Sequence, residues 1–148
     1  MKTLALLAII LFVSSTAFAA GSDNVLGVWK TTGGESQLEL FRCGEGVCGK
    51  VVWLKVPTYI DSKDGPVGKI KVDRKNPNPA LRNRPIIGLQ VMNGFIPKGG
   101  KRWVNGTCYN PVTGKSYKSK MYLASADKLE LRGYIGFSFI GRTSVLTR

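Results

Sequence analysis

The sequence contains no histidine, three cysteines and nine carboxylates, and these counts decide much of the chemistry it can support. Without imidazole the chain lacks the commonest general base and the commonest metal ligand. Cys108 therefore has no base of that kind to activate it as a nucleophile. The acids stand mostly in turns and at alternating polar positions: Asp61, Asp64 and Asp73 in one long connection, Glu39 and Glu130 on the wet sides of strands. Hydrolysis of the glycosidase type would need two carboxyl groups buried together, and no assembled pair is in view. No catalytic residue, cofactor or metal site is expected, and the chain is read as non-enzymatic. Cys43 and Cys48 bracket Gly44-Glu45-Gly46-Val47, which reads as a hairpin tip. Cross-strand neighbours at a tip lie within the Cα separation a disulfide tolerates, so a Cys43–Cys48 bridge is expected. Its loop is short, worth about 2 kcal/mol of chain entropy. Cys108, left over in an apolar strand, is expected to be free and buried.

Binding chemistry has more candidates. Trp53, Leu89, Val91, Met121, Leu123, Phe137 and Phe139 are the residues expected to line an interior, with ordinary core packing as the competing role for each. Arg82 and Arg84 fall on a long loop where they could pair with a carboxylate or phosphate head group. Lys101-Arg102-Trp103 mixes cation and aromatic at a hairpin, a contact point for an anionic sugar or lipid surface.

The elements that position these residues begin after a leader. Lys2 is followed by an apolar run from Leu4 to Val13 and by Ala17-Phe18-Ala19. One early charge, a short apolar stretch and a small-x-small exit describe a signal peptide, with cleavage expected after Ala19. The run is about half the ~20 residues a bilayer span requires. Residues 20–148 then form one domain, too short for two cores. Export, to the periplasm or beyond, places the cysteines in an oxidising compartment. The formal charge is +13 for the whole chain, and losing Lys2 leaves +12. Such a balance attracts polyanions. The charges are nevertheless scattered along the sequence, with no run of five or six Lys/Arg, and no specific nucleic-acid motif is present.

Strand signals recur with β-type spacing over Val25–Thr32, Ser36–Arg42, Cys48–Lys55, Pro85–Phe95, Arg102–Asn110, Ser116–Ala124, Lys128–Tyr134 and Phe137–Leu146. Leu38 and Leu40 alternate with Gln37 and Glu39, and Leu129 and Leu131 with Glu130 and Arg132. One dry and one wet face is the antiparallel pattern. About eight short strands joined by tight turns predict an all-β fold, a single antiparallel up-and-down barrel in preference to a sandwich, because closure removes exposed edges. One connection, Val56 to Arg84, is far longer than usual, as binding loops often are. Asn76 or Asn78 could cap a short helix within it, with a proline at its first position.

Gly27-Val28-Trp29 opens the first strand, and Arg142 and Arg148 lie on or at the end of the last. This resembles the Gly-x-Trp and covering arginine of lipocalin-like proteins, where a guanidinium stacks on an indole that plugs one end of the barrel. In a meander the end of the last strand meets Trp29, which favours Arg148 over Arg142. A closer resemblance covers nearly the whole mature chain: Cys43-Gly44 with Cys48-Gly49-Lys50-Val51-Val52-Trp53, Asn76-Pro77-x-Pro79-x-Leu81-x-x-Arg84-Pro85-x-x-Gly88, Tyr109-x-Pro111-x-x-Gly114-x-x-Tyr117, Leu129-x-Leu131-x-Gly133-Tyr134-x-Gly136 and Gly141-Arg142. In these blocks the chain is similar to the secreted bacterial family known as domain of unknown function 2147. That resemblance implies a lipocalin-like barrel and leaves activity open. The chain departs from the family at Asn110, where Asp is usual, and at Cys108, where an aliphatic residue is usual.

Two functions follow as expectations. In the first, an exported binding protein carries a small amphipathic, hydrophobic or anionic ligand inside the barrel, with the 56–84 loop as gate and Arg82 or Arg84 reading the head group. In the second, the barrel is filled and the basic surface engages an envelope polyanion or a protein partner.

Overall fold

Residues that alternate apolar and polar along the chain form the walls of the molecule. A computed structural model describes residues 23–134 and 141–148. The expected leader, residues 1–19, and the interior candidates Phe137 and Phe139 lie outside the described residues. The strands are β1 (Gly27–Lys30), β2 (Ser36–Cys43), β3 (Gly46–Leu54), β4 (Gln90–Pro97), β5 (Arg102–Asn110), β6 (Lys115–Ser125), β7 (Lys128–Tyr134) and β8 (Gly141–Thr147). Each pairs antiparallel with the next, and β8 returns to β1 to close an up-and-down barrel. Short 3-10 turns sit at Asp23–Val25, Thr32–Gly34 and Pro79–Leu81. Cys43 and Cys48 form a disulfide at the β2–β3 tip, their Cα atoms 5.7 Å apart.

The β4 strand starts at Gln90, later than the expected Pro85. Pro85 instead pairs with Val72 inside the preceding loop, and the Leu89 N–H donates to the Ile86 carbonyl at 3.0 Å, so the chain turns once more before extending.

One end of the barrel is filled. Trp29, Leu40, Phe95, Trp103, Leu129 and Leu146 are all at most 2% exposed and belong to one apolar cluster. Gly106 makes room for this packing: a Cβ there would lie 2.5 Å from the Phe95 ring.

Closure between β1 and β8 is thin. Lys30 and Thr147 are the residues that pair across the seam. The Thr32 hydroxyl donates to the Val145 carbonyl at 2.8 Å and accepts from the Val145 N–H at 3.3 Å, and Arg148 adds further contacts. The Arg148 guanidinium lies 4.1 Å from the centre of the Trp29 ring and donates to the carbonyls of Asn24 (2.7 Å) and Leu26 (3.0 Å). The Trp29 indole N–H in turn donates to the Val25 carbonyl at 2.8 Å. One cation thus ties the last residue of the chain, the first turn and the plug of the barrel together.

Arg148→Ala should lower stability by about 2 kcal/mol, from a cation–π contact and charged hydrogen bonds to two carbonyls. Urea denaturation reads this directly, and an unchanged midpoint would remove Arg148 from the closure.

Candidate functional site

The long connection, residues 55–89, is fastened by one acid. Asp73 is fully buried. Its Oδ1 accepts from the Tyr109 hydroxyl at 2.5 Å, and its Oδ2 accepts from the Asn76 side-chain amide at 2.7 Å and from Arg84 at 3.1 Å. Three donors, from the loop and the end of β5, are therefore satisfied at one carboxylate, which is how a buried charge is tolerated. Burial first, then the bond to Asp73 and its negative charge, push the Tyr109 phenol up to about 12. The Asn78 side chain caps the Pro79–Leu81 turn, accepting from the Ala80 N–H at 3.1 Å. The β5–β6 turn is held by Asn110, whose side-chain oxygen accepts from the Val112 N–H at 2.9 Å, a task an amide performs as well as a carboxylate.

Beside this anchorage the described residues leave the inner wall unfilled. Antiparallel partners share a face, so register shows which residues point inward. Gly106, Ser119, Gly133 and Arg142 form one cross-strand row, and Met121, Leu131 and Ser144 the next. Cys108 and Tyr117 continue the same face toward the end of the barrel. Three small residues in neighbouring positions, Ser119, Gly133 and Ser144, leave space that larger side chains occupy at the filled end. The result is a cleft of about 650 Å³ bordered by Cys108, Tyr117, Leu131, Tyr134, Arg142 and the two serines, among others. Its described lining comes from β5 to β8 and the β5–β6 turn, and not from residues 55–89.

Several expected binding residues therefore stand elsewhere. Trp53 is 42% exposed and faces outward. Register slips between Gln37 and Leu38, which pair with Trp53 and Val51, so Val52 is the extra residue of a bulge and Trp53 changes face. Arg84 is engaged with Asp73, and the Arg82 Nε donates to the Asn76 carbonyl at 2.8 Å, so both brace the loop. Leu89, Trp103 and Met121 are buried in the apolar core. Arg142 stands six residues before Arg148 on β8, on the order of 20 Å along an extended strand, and borders the cleft while Arg148 covers Trp29. Cys108 carries a free thiol on the cleft wall. Burial raises it to about 11, against a smaller lowering from Ser119, so it is a neutral thiol at physiological pH. Sequence reasoning missed Ser119, Gly133 and Ser144. The available signal was small residues at the inward positions of adjacent strands, Ser119 before Met121 and Leu123, and Gly133 after Leu129 and Leu131.

Asp73→Ala should cost about 2–3 kcal/mol by stranding its donors. It should also expose the loop to trypsin at Lys71, Arg74 and Lys75 before the barrel unfolds, as timed proteolysis can show. The raised Tyr109 value means the folded chain holds that proton more tightly than the unfolded chain. Its contribution to stability is whole below about pH 10 and is lost as pH rises toward 12. Absorbance titration should show one late phenol that disappears in Tyr109→Phe.

Comparison with known proteins supports the architecture. A solved structure described as "Protein HP1028 from the human pathogen Helicobacter pylori belongs to the lipocalin family" is 27% identical, with a TM-score of 0.69 over 84% of this chain and 82% of that chain. No curated protein matches the chain. The family model described as "Uncharacterized protein conserved in bacteria (DUF2147)" matches residues 27–148. That family is bacterial, and the Cys43–Cys48 bridge suits an oxidising compartment. With its lipocalin-like barrel and the family match across nearly all of that barrel, the chain belongs to the DUF2147 family.

Proposed function

We propose that this chain is an exported, non-enzymatic binding protein that holds one small amphipathic, anionic molecule in the cleft between β5 and β8. The observation that carries the reading is the unfilled inner wall at Ser119, Gly133 and Ser144 with Arg142 in the same row. An eight-stranded barrel is just wide enough for side chains to fill or for one small ligand. A volume of about 650 Å³ lies within the usual range for small-molecule sites. Tyr117, Leu131 and Tyr134 offer apolar contact, the serine hydroxyls offer hydrogen bonds, and Arg142 at the border offers a planar, permanently charged donor for a carboxylate or phosphate. The bland Cys108 thiol and the absence of histidine from the sequence favour binding over turnover. The leader at residues 1–19 supports export.

Native mass spectrometry of protein purified gently from the bacterial periplasm tests this. A discrete extra mass should survive a high-salt wash and leave on denaturation. Gly133→Leu should abolish it without unfolding the barrel, because a Cβ at Gly133 meets only ordinary contacts at 3.7 Å and the branched end projects into the cleft. Arg142→Ala should weaken retention by about tenfold or more, the worth of a charged hydrogen bond. A clean apo mass for the natural chain, or an adduct indifferent to Gly133→Leu, would contradict the assignment.

A further inference from the structure

Charges scattered along the sequence are segregated in space. Residues 23–55 hold four cations and four acids, and three of those cations pair with carboxylates: Arg42 with Asp23, Lys50 with Glu39 and Lys55 with Glu35. Residues 90–148 hold ten cations against two acids, Asp127 and Glu130. The β1–β3 wall is thus balanced, and the β5–β8 wall carries most of the excess.

On the outer face of that wall the register sets like charges against each other. Lys120 pairs directly with Arg132 across β6 and β7, a placing of like charges that a sheet disfavours, while Arg132 also donates to the Thr143 hydroxyl at 3.2 Å. Arg102 lies one row away opposite Tyr122, its guanidinium 5.8 Å from the ring centre. Tyr122 is itself 41% exposed. These residues, with Lys98 from the β4–β5 turn, border an outer cleft of about 870 Å³ in which Glu130 is the acid among the described residues. Trp103 borders it as well, and its buried indole N–H has no acceptor among the described residues. The aromatic presented outward at this hairpin is therefore Tyr122, while Trp103 has turned inward from the Lys101-Arg102-Trp103 sequence.

We propose that this outer cleft binds a segment of an acidic glycan, a sugar chain bearing carboxylate or phosphate groups. Repelling cations held in register by a sheet are an arrangement that a bound polyanion stabilises. An exposed tyrosine ring backed by an arginine gives a flat platform for a sugar face. A concave site fits a chain better than it fits a planar lipid surface. The oxidising compartment indicated by the disulfide holds envelope glycans and excludes intracellular nucleic acid. This site is on the opposite side of the sheet from the inner cleft, so either can fail without the other.

The test is binding of a galacturonic acid oligomer, measured by calorimetry on the mature protein, with neutral dextran as control. Lys120→Glu should weaken binding by about tenfold or more and flatten its salt dependence, since it removes one attraction and adds one repulsion. The same substitution should raise the unfolding midpoint, because Glu then faces Arg132, which separates lost binding from lost folding. Lys63→Glu, an equal change of net charge on the long loop, should leave affinity within about twofold. Equal losses in both variants would reduce the interaction to net charge and overturn the site. No binding of the oligomer, or binding only to vesicles of anionic phospholipid, would overturn it as well, the latter in favour of a membrane surface.

Discussion

The closing of the barrel rests on one stacked cation. An eight-stranded sheet has two edges until the first and last strands meet, and here they share little backbone: β1 is four residues long and pairs with β8 at Lys30 and Thr147. Arg148 compensates by stacking on Trp29 and bonding to the carbonyls of Asn24 and Leu26. Because Trp29 is fully buried and bonded to Val25, the same contact seats the first turn against the end of the barrel. A cation–π contact and two charged hydrogen bonds thus add to the few ladder bonds the short strand makes.

Closing one end permits the asymmetry of the other. With Trp29, Phe95, Trp103 and Leu129 packing the filled half, the opposite inner wall can carry Ser119, Gly133 and Ser144 without the core collapsing around them. The long β3–β4 connection is committed to β5 through Asp73 and Tyr109. The access this leaves beside it is bounded by Arg142 and Tyr134. The two faces of the β5–β8 wall are thereby given different chemistry: inward, small and apolar groups with one arginine; outward, a cluster of cations around Tyr122.

Strand count, antiparallel order and the hairpin disulfide were legible because each is local: alternation marks a strand, and Cys43 and Cys48 flank their own turn. The resemblance to lipocalin-like proteins implied an arginine over Trp29, and chain direction favoured Arg148 over Arg142. The interior was less legible, since facing is inherited through register and one bulged residue reverses it. Val52 turns Trp53 outward in this way, and a slip between Trp103 and Gly106, where Asn105 takes a positive φ of 60°, resets β5. In sequence Arg82 and Arg84 stand available for a ligand head group, because nothing in their neighbourhood announces that Asn76 and Asp73 will use them. The charge segregation escaped for a related reason: no cationic run exists, and only strand pairing brings Lys120 beside Arg132.

The most direct test of the inner cleft is a crystal structure of the protein taken from its own compartment without detergent. A bound ligand there would give continuous density along Tyr117, Leu131 and Tyr134, ending in an acidic group within hydrogen-bond distance of Arg142. Ordered water alone in that space, with Arg142 turned to solvent, would contradict it.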